Sequence, residues 1–221
     1  MNFPYGLLPA DWHWTATVIY ATILGVAIFR APWRRFKDNL QVHVFFGACV
    51  FLLVLWTIRA SNLPGLEYHY LGATLLSLMF GWRLAIVAMS LIFTGSVING
   101  TSDWQTIPMN LLVMGVVPIS VSRGVRYFAD HHLPENFFVY IFVNAFFAAA
   151  LSMLAAILCG SAILFAGNVY SLDQLFTEYL QLAPLLIFPE AFITGFVVTL
   201  MVVYRPEWVS TFDDDRYIRG K

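Results

Sequence analysis

Charged residues are scarce in this chain. Of its 221 residues, 12 are Lys or Arg and 13 are Asp or Glu, so only 11% are charged and the formal net charge is −1. Soluble domains carry about 25% charged residues. The balance argues against a nucleic-acid partner. Because 60% of the residues are hydrophobic, there is more apolar surface than one core can bury, and a lipid bilayer is the expected surrounding.

Cysteines and enzyme motifs are also few or absent. Cys49 and Cys159 both lie in apolar runs, where a thiol usually packs as a small hydrophobe; a disulfide or a thiolate metal site is the alternative. The sequence contains no Gly-x-x-x-x-Gly-Lys-Ser/Thr loop, no Gly-x-Ser-x-Gly elbow and no His-Glu-x-x-His motif, so we expect neither ATP hydrolysis by the phosphate-loop route nor enzyme activity. The first residues lack the positive region of a signal peptide, so we expect the first apolar segment to be retained.

Long apolar segments are the main feature that is present. A helix needs about 20 apolar residues to cross a bilayer. The candidates are residues 12–29, 40–58, 68–98, 107–121, 137–165 and 175–204. The third segment is interrupted at Gly81-Trp82-Arg83, and splitting it there gives about seven transmembrane segments instead of six.

The basic residues favour seven segments. Cytoplasmic loops are enriched in Lys and Arg. With the N-terminus outside, Arg59 alone of the 12 basic residues lies on the outer side, whereas six segments would place Arg83 in the membrane. We therefore predict an all-α polytopic membrane helix bundle, with residues 1–221 forming one integral membrane domain of the cell inner membrane. Residues 205–221 are predicted to form a short cytoplasmic tail.

A few polar side chains fall within or beside these apolar segments and are informative because burying them in lipid is costly. Glu190 follows Pro189 in the last segment. It can be a protonated or hydrogen-bonded structural carboxyl, a proton or cation relay, or a direct cation ligand. Asn110 is a second intramembrane polar residue. His13 and His69 both fall on the predicted outer side.

Four segments, in chain order, share a pattern with a known family. They are Met1-Asn2-Phe3-Pro4-Tyr5-Gly6, His69-Tyr70-Leu71-Gly72-Ala73 followed by Gly81-Trp82, Met109-Asn110-Leu111-Leu112-Val113-Met114-Gly115, and Pro189-Glu190-Ala191-Phe192-Ile193-Thr194-Gly195. Together they resemble the cobalt and nickel permeases of energy-coupling-factor transporters (CbiM/NikM-like).

The resemblance implies a membrane-embedded substrate-binding subunit for divalent transition-metal cations, which depends on a transmembrane coupling subunit and ATPase subunits. It also implies a metal site formed by the Met1 amine, Asn2 and His69, suited to nickel or cobalt. Asn2 stands where the family has histidine, so Glu67 and His13 are candidates for the missing ligand, which would favour a mixed nitrogen and oxygen site for an ion such as Zn²⁺. The alternative function is a non-transporting membrane scaffold or assembly factor that has lost the metal site.

Overall fold

Helices make up most of the protein. The structure, a computed structural model, describes residues 2–219, so Met1 lies outside the described residues. The α-helices in this range are α1 (Ala10–Arg30), α2 (Asn39–Leu55), α3 (Ala73–Ile98), α4 (Ile107–Leu111), α5 (Val117–His132), α6 (Phe137–Val139), α7 (Ala148–Ala166), α8 (Leu172–Glu178) and α9 (Ala183–Tyr204). Two π-helical stretches, Leu112–Val116 and Tyr140–Phe147, join α4 to α5 and α6 to α7.

The helices have the length and composition of membrane spans. Within the described residues, five helical stretches are long and apolar enough to cross a bilayer; they are Ala10–Arg30, Ala73–Ile98, Trp104–His132, Phe137–Ala166 and Leu172–Tyr204. The second apolar helix, α2, is shorter, at 17 residues. The predicted all-α membrane bundle is confirmed, while the number of crossings and their orientation stay predictions.

Helix α3 is divided where the sequence suggested a break. Gly81 has φ 78° and ψ 159°, which are not helical values. The Tyr68 hydroxyl donates to the carbonyl of Glu178, before α9, whereas the Met79 carbonyl accepts from the amide of Ser210, after α9. Residues 68–79 therefore extend from the end of the bundle where α9 begins towards the end where it finishes.

The chain then returns to the end from which it came. The carbonyl of Thr101, three residues beyond α3, lies 3.1 Å from Nδ2 of Asn2, and the same amide nitrogen lies 3.3 Å from Glu67. Residues 67 and 101 thus lie at the same end of the bundle, and the segment between them forms a hairpin with its bend at Gly81.

The short half of this hairpin, residues 73–80, ends at carbonyls that are bonded from outside the helix. Thr211 Oγ1 donates to the Leu78 carbonyl at 2.8 Å, and Arg35 Nη1 donates to the Met79 carbonyl at 3.0 Å. The last carbonyls of a helix lack intrahelical partners and carry partial negative charge, so a guanidinium is well suited to them. These contacts hold the bend at Gly81 against Thr211 and Arg35.

A small β-hairpin covers the opposite end of the bundle. Strands β1 (Ala60–Leu63) and β2 (Leu66–Tyr68) are antiparallel, and the turn contains Gly65 at φ 83°, a conformation that glycine adopts readily. Arg59 directly precedes β1, and β2 is followed by His69. The hairpin thereby brings Arg59, before β1, close to His69, after β2.

Candidate functional site

The N-terminal segment is bound into the bundle through its backbone. The Asn2 amide donates to the Gly65 carbonyl at 3.3 Å. The Phe3 amide donates to Asn110 Oδ1 at 2.7 Å, and Asn110 Nδ2 donates back to the Phe3 carbonyl at 3.1 Å. The Phe3 side chain is fully buried. Asn110 thus pairs with Phe3 as a neighbouring strand would, and it fixes where residue 2 lies.

A second extended segment, residues 69–72, is bound by a carboxylate. The Leu71 and Gly72 amides donate to the two oxygens of Glu190 at 2.7 and 2.9 Å. Gly72 has φ 71°, and a Cβ there would lie 2.5 Å from a terminal methyl carbon of Leu52. Because both oxygens of Glu190 accept backbone amides, its geometry agrees with the first of the three interpretations, a hydrogen-bonded structural carboxyl.

His69 is held in the form that binds metal ions. Its Nδ1 lies 3.2 Å from the Tyr70 carbonyl. Since a carbonyl only accepts, Nδ1 carries the proton, and Nε2 is the nitrogen with a lone pair in the neutral ring. The ring packs at a steep angle against Trp56, with 5.0 Å between centroids. A histidine whose Nδ1–H is bound to a carbonyl in this way is oriented as metal-ligating histidines usually are.

Asn2, Glu67 and His69 line one small cavity. The other lining residues are Trp56, Arg59, Phe93, Ser96, Ser102 and Met114, and the cavity has a volume of about 10 Å³. A space of this size holds roughly one water-sized sphere. The cavity therefore has room for a single small ion.

The polar groups at the cavity form one network. Asn2 Nδ2 donates to Glu67 Oε1 at 3.3 Å and to the Thr101 carbonyl at 3.1 Å. Both partners are acceptors, which fixes the orientation of the amide and directs Asn2 Oδ1 elsewhere. That oxygen is buried and has no hydrogen-bond partner among the described residues. The network therefore contains a buried oxygen atom whose lone pairs a cation could bind.

The predicted site residues fall into two groups. The structure brings Asn2, Glu67 and His69 together, while Met1 lies outside the described residues. His13 does not line the cavity: it is buried near the start of α1, and its ring lies 6.1 Å from that of Tyr5. Within residues 2–219, no group of three or more His, Cys, Asp and Glu side chains is arranged to hold a metal ion.

Sequence reasoning did not assign two parts of the network. Arg59 Nη1 donates to Glu67 Oε2 at 3.3 Å and to the Thr101 carbonyl at 3.1 Å. A signal for Arg59 was present, because it is the one basic residue on the predicted outer side. The Thr101 contribution is a backbone carbonyl, which every residue possesses, so nothing in the residue type could indicate it.

Comparisons with known proteins bear on the family and the fold. The family model for the cobalt uptake substrate-specific transmembrane region, CbiM, matches residues 2–208. A crystal structure of a truncated transition metal transporter superposes with a TM-score of 0.78 at 20% identity, covering 92% of this chain and 99% of that one. A second transition metal transporter gives 0.75 at 19% identity, covering 91% and 92%. No curated protein matches the sequence. At these identities the structural likeness shows a shared fold.

Proposed function

The chain belongs to the CbiM family of cobalt uptake substrate-specific transmembrane regions, and from this premise we propose that it is the membrane-embedded substrate-binding subunit of a divalent transition-metal uptake system. Family and fold together make it a multi-pass membrane transport protein. The observation that carries the proposal is the ion-sized cavity lined by Asn2, Glu67 and His69.

The donor atoms define the kind of ion. We assign Nε2 of His69, Oδ1 of Asn2 and the carboxylate of Glu67 as ligands, together with the terminal amine of Met1, which lies outside the described residues. Imidazole and amine nitrogens suit Co²⁺, Ni²⁺ and Zn²⁺. Two oxygen donors make the set harder than an all-nitrogen site, so Zn²⁺ is expected to compete well with Co²⁺ and Ni²⁺.

Transport needs an energy source that this chain does not carry. The sequence has no phosphate loop, so ATP hydrolysis by that route must come from another protein. We propose that separate transmembrane coupling and ATPase subunits supply it. In this proposal the protein lies in the cell inner membrane, with the N-terminus and the cavity facing outward.

Calorimetric titration of the purified full chain with Co²⁺, Ni²⁺ and Zn²⁺ tests the site. His69→Ala is expected to weaken binding at least tenfold, because it removes the one imidazole of the cavity. His132→Ala is the matched control, since that ring is exposed and bonded to the Phe128 carbonyl. Equal binding by the wild type and His69→Ala, or binding by neither, would remove the site.

Two observations favour the alternative of a non-transporting scaffold or assembly factor. Glu67 already forms an ion pair with Arg59, at 3.3 Å, and Asn2 stands where the resembling family has histidine. This alternative predicts that the wild type binds none of the three ions and purifies with an unrelated membrane complex. Co-purification with an ATPase pair would count against it.

A further inference from the structure

Arg59 lies where the proposed function places a metal ion. Its side chain lines the same cavity as Asn2 and His69. Its Nη1 lies 3.3 Å from Glu67 Oε2 and 3.1 Å from the Thr101 carbonyl. The protein thus carries a cation of its own among the oxygens of the site.

The same oxygens serve two donors. Asn2 Nδ2 also donates to Glu67 and to the Thr101 carbonyl, at 3.3 and 3.1 Å. A carboxylate and a backbone carbonyl are ligands that divalent cations accept. Asn2 Oδ1, in a side chain that is only 8% exposed, has no hydrogen-bond partner among the described residues. Asn2 Oδ1, the Glu67 carboxylate and the Thr101 carbonyl, which is bonded to both Asn2 and Arg59, are therefore three kinds of oxygen that a cation can bind, and Arg59 satisfies two of them.

We propose that Arg59 is a tethered competitor of the divalent cation, which binds by displacing the guanidinium from Glu67 and the Thr101 carbonyl. The proposal rests on the proposed function of the same cavity. It makes Arg59 a specificity-determining residue, because an ion enters only if it binds these oxygens more strongly than the guanidinium does.

Displacement is physically reasonable because Arg59 is not enclosed. Its side chain is 31% exposed and that of Glu67 is 17% exposed. An ion pair with access to water contributes little to stability, and the displaced guanidinium can be solvated without burying its charge. A divalent ion carries twice the charge at a shorter distance from the carboxylate, so its attraction to Glu67 is stronger than that of Arg59. Monovalent cations lack the second charge and are expected to compete less well with the guanidinium.

Removing the competitor tests the proposal. In calorimetric titrations of the full chain, Arg59→Gln is expected to bind Co²⁺, Ni²⁺ or Zn²⁺ at least tenfold more tightly than the wild type. Arg216→Gln is the matched control: Arg216 is 32% exposed and pairs with Glu135 at 2.6 Å, outside the cavity. The control is expected to bind as the wild type does.

Each outcome decides a different question. Binding by Arg59→Gln but not by the wild type also supports the competitor. If the wild type binds an ion and Arg59→Gln binds it equally or more weakly, the proposal that Arg59 competes with the ion is overturned, and the proposed function stands. If neither protein binds any of the three ions, both proposals fall.

A second measurement uses the unmodified chain, in case Arg59→Gln does not fold. Phenylglyoxal modifies exposed guanidinium groups, and peptide mass spectrometry identifies the modified arginine. Saturating metal ion is expected to increase modification of Arg59 severalfold and to leave Arg216 unchanged. Unchanged or reduced modification of Arg59 under conditions where the ion binds would contradict displacement.

Discussion

Asn110 and Glu190 both fix an extended segment next to the cavity, yet they do so with different chemistry. Asn110 is neutral and fully buried, and it both accepts from and donates to the backbone of Phe3. Glu190 is 2% exposed and only accepts, from the amides of Leu71 and Gly72. One side chain satisfies a donor and an acceptor, and the other satisfies two donors.

The difference explains where each residue type is placed. An amide costs little to bury when both of its ends are paired. A carboxylate costs far more, and here it lies at the start of the short helix 73–80, where amides and the helix dipole favour negative charge. Neither residue lines the cavity. Both therefore position the segments that carry Asn2 and His69, which is a different role from binding an ion.

Removing the charged member of this pair should have the largest effect. Glu190→Ala leaves two buried amides without an acceptor and is expected to lower the free energy of unfolding by about 4 kcal/mol, because each bond to a charged acceptor contributes roughly 1.5–3 kcal/mol. Glu190→Gln keeps one accepting oxygen and should lose about half as much. Chemical unfolding of the purified protein in detergent measures both changes.

The relative stabilities of Glu190→Ala and Glu190→Gln test whether the charge of Glu190 distinguishes its role from that of Asn110. If Glu190→Gln is as stable as the wild type, the charge contributes nothing and the two residues are equivalent. If Glu190→Ala is as stable as the wild type, the two bonds to Leu71 and Gly72 do not stabilise the fold, and the assignment of Glu190 as a structural carboxyl is wrong.

Replacing Asn110 should cost less stability and act more selectively. Asn110→Leu removes both bonds to Phe3 and is expected to lower the free energy of unfolding by about 2–3 kcal/mol. Because the N-terminal segment is released, ion affinity should fall at least tenfold, and aminopeptidase should remove the first residues faster. Calorimetric titration and timed mass spectrometry measure these two effects.

Asn144 provides the control for that substitution. It is 1% exposed, and its Oδ1 has no hydrogen-bond partner among the described residues. Asn144→Leu should therefore change the free energy of unfolding by less than about 1 kcal/mol and leave ion affinity unaltered. Equal loss of affinity in both variants would show that Asn110 has no particular role in placing residue 2.

Much of the fold could be predicted because it follows from local properties of the sequence. Apolar length indicated the helices, and the Gly81-Trp82-Arg83 interruption indicated the break in α3. A glycine followed by a charge within an apolar run is a signal that depends on a few neighbouring residues. The two π-helical stretches have no such signal, since their residues are as apolar as the helices around them.

The site was predictable only in part. The family resemblance implied that Asn2 and His69 share a position, and Glu67 was one of two candidates for a further ligand; all three line the cavity. Arg59 and the Thr101 carbonyl joined the network through contacts between residues 42 positions apart. Such contacts depend on how the hairpin packs against the end of α3, and neither composition nor spacing specifies that packing. His13 shows the same limit, because its predicted outer position did not bring it to the cavity.

The smallest effects on stability should come from substituting the two glycines that flank the short helix 73–80. Gly72 and Gly81 both have positive φ, 71° and 78°. Alanine at position 72, where φ 71° and ψ 7° are left-handed, is strained by about 1 kcal/mol. At position 81, φ 78° and ψ 159° lie in a region that essentially only glycine adopts, and alanine there is strained by roughly 1–3 kcal/mol. At Gly81 a Cβ meets nothing within 4 Å, whereas at Gly72 it lies 2.5 Å from a methyl carbon of the fully buried Leu52. Gly72→Ala combines left-handed strain with overlap against Leu52, while Gly81→Ala carries the larger backbone strain alone, so each should cost about 2 kcal/mol.

Ion affinity separates the two glycines further. Gly72 donates its amide to Glu190 and lies three residues after His69, so Gly72→Ala should shift His69 and weaken ion binding severalfold. Gly81 lies at the far end of the short helix, beside the residues that contact Ser210, and its substitution should leave affinity unchanged. Titration of both variants, with unfolding measured in parallel, checks this. Equal affinity in the two would mean that the bond from Gly72 to Glu190 stabilises the fold without positioning His69.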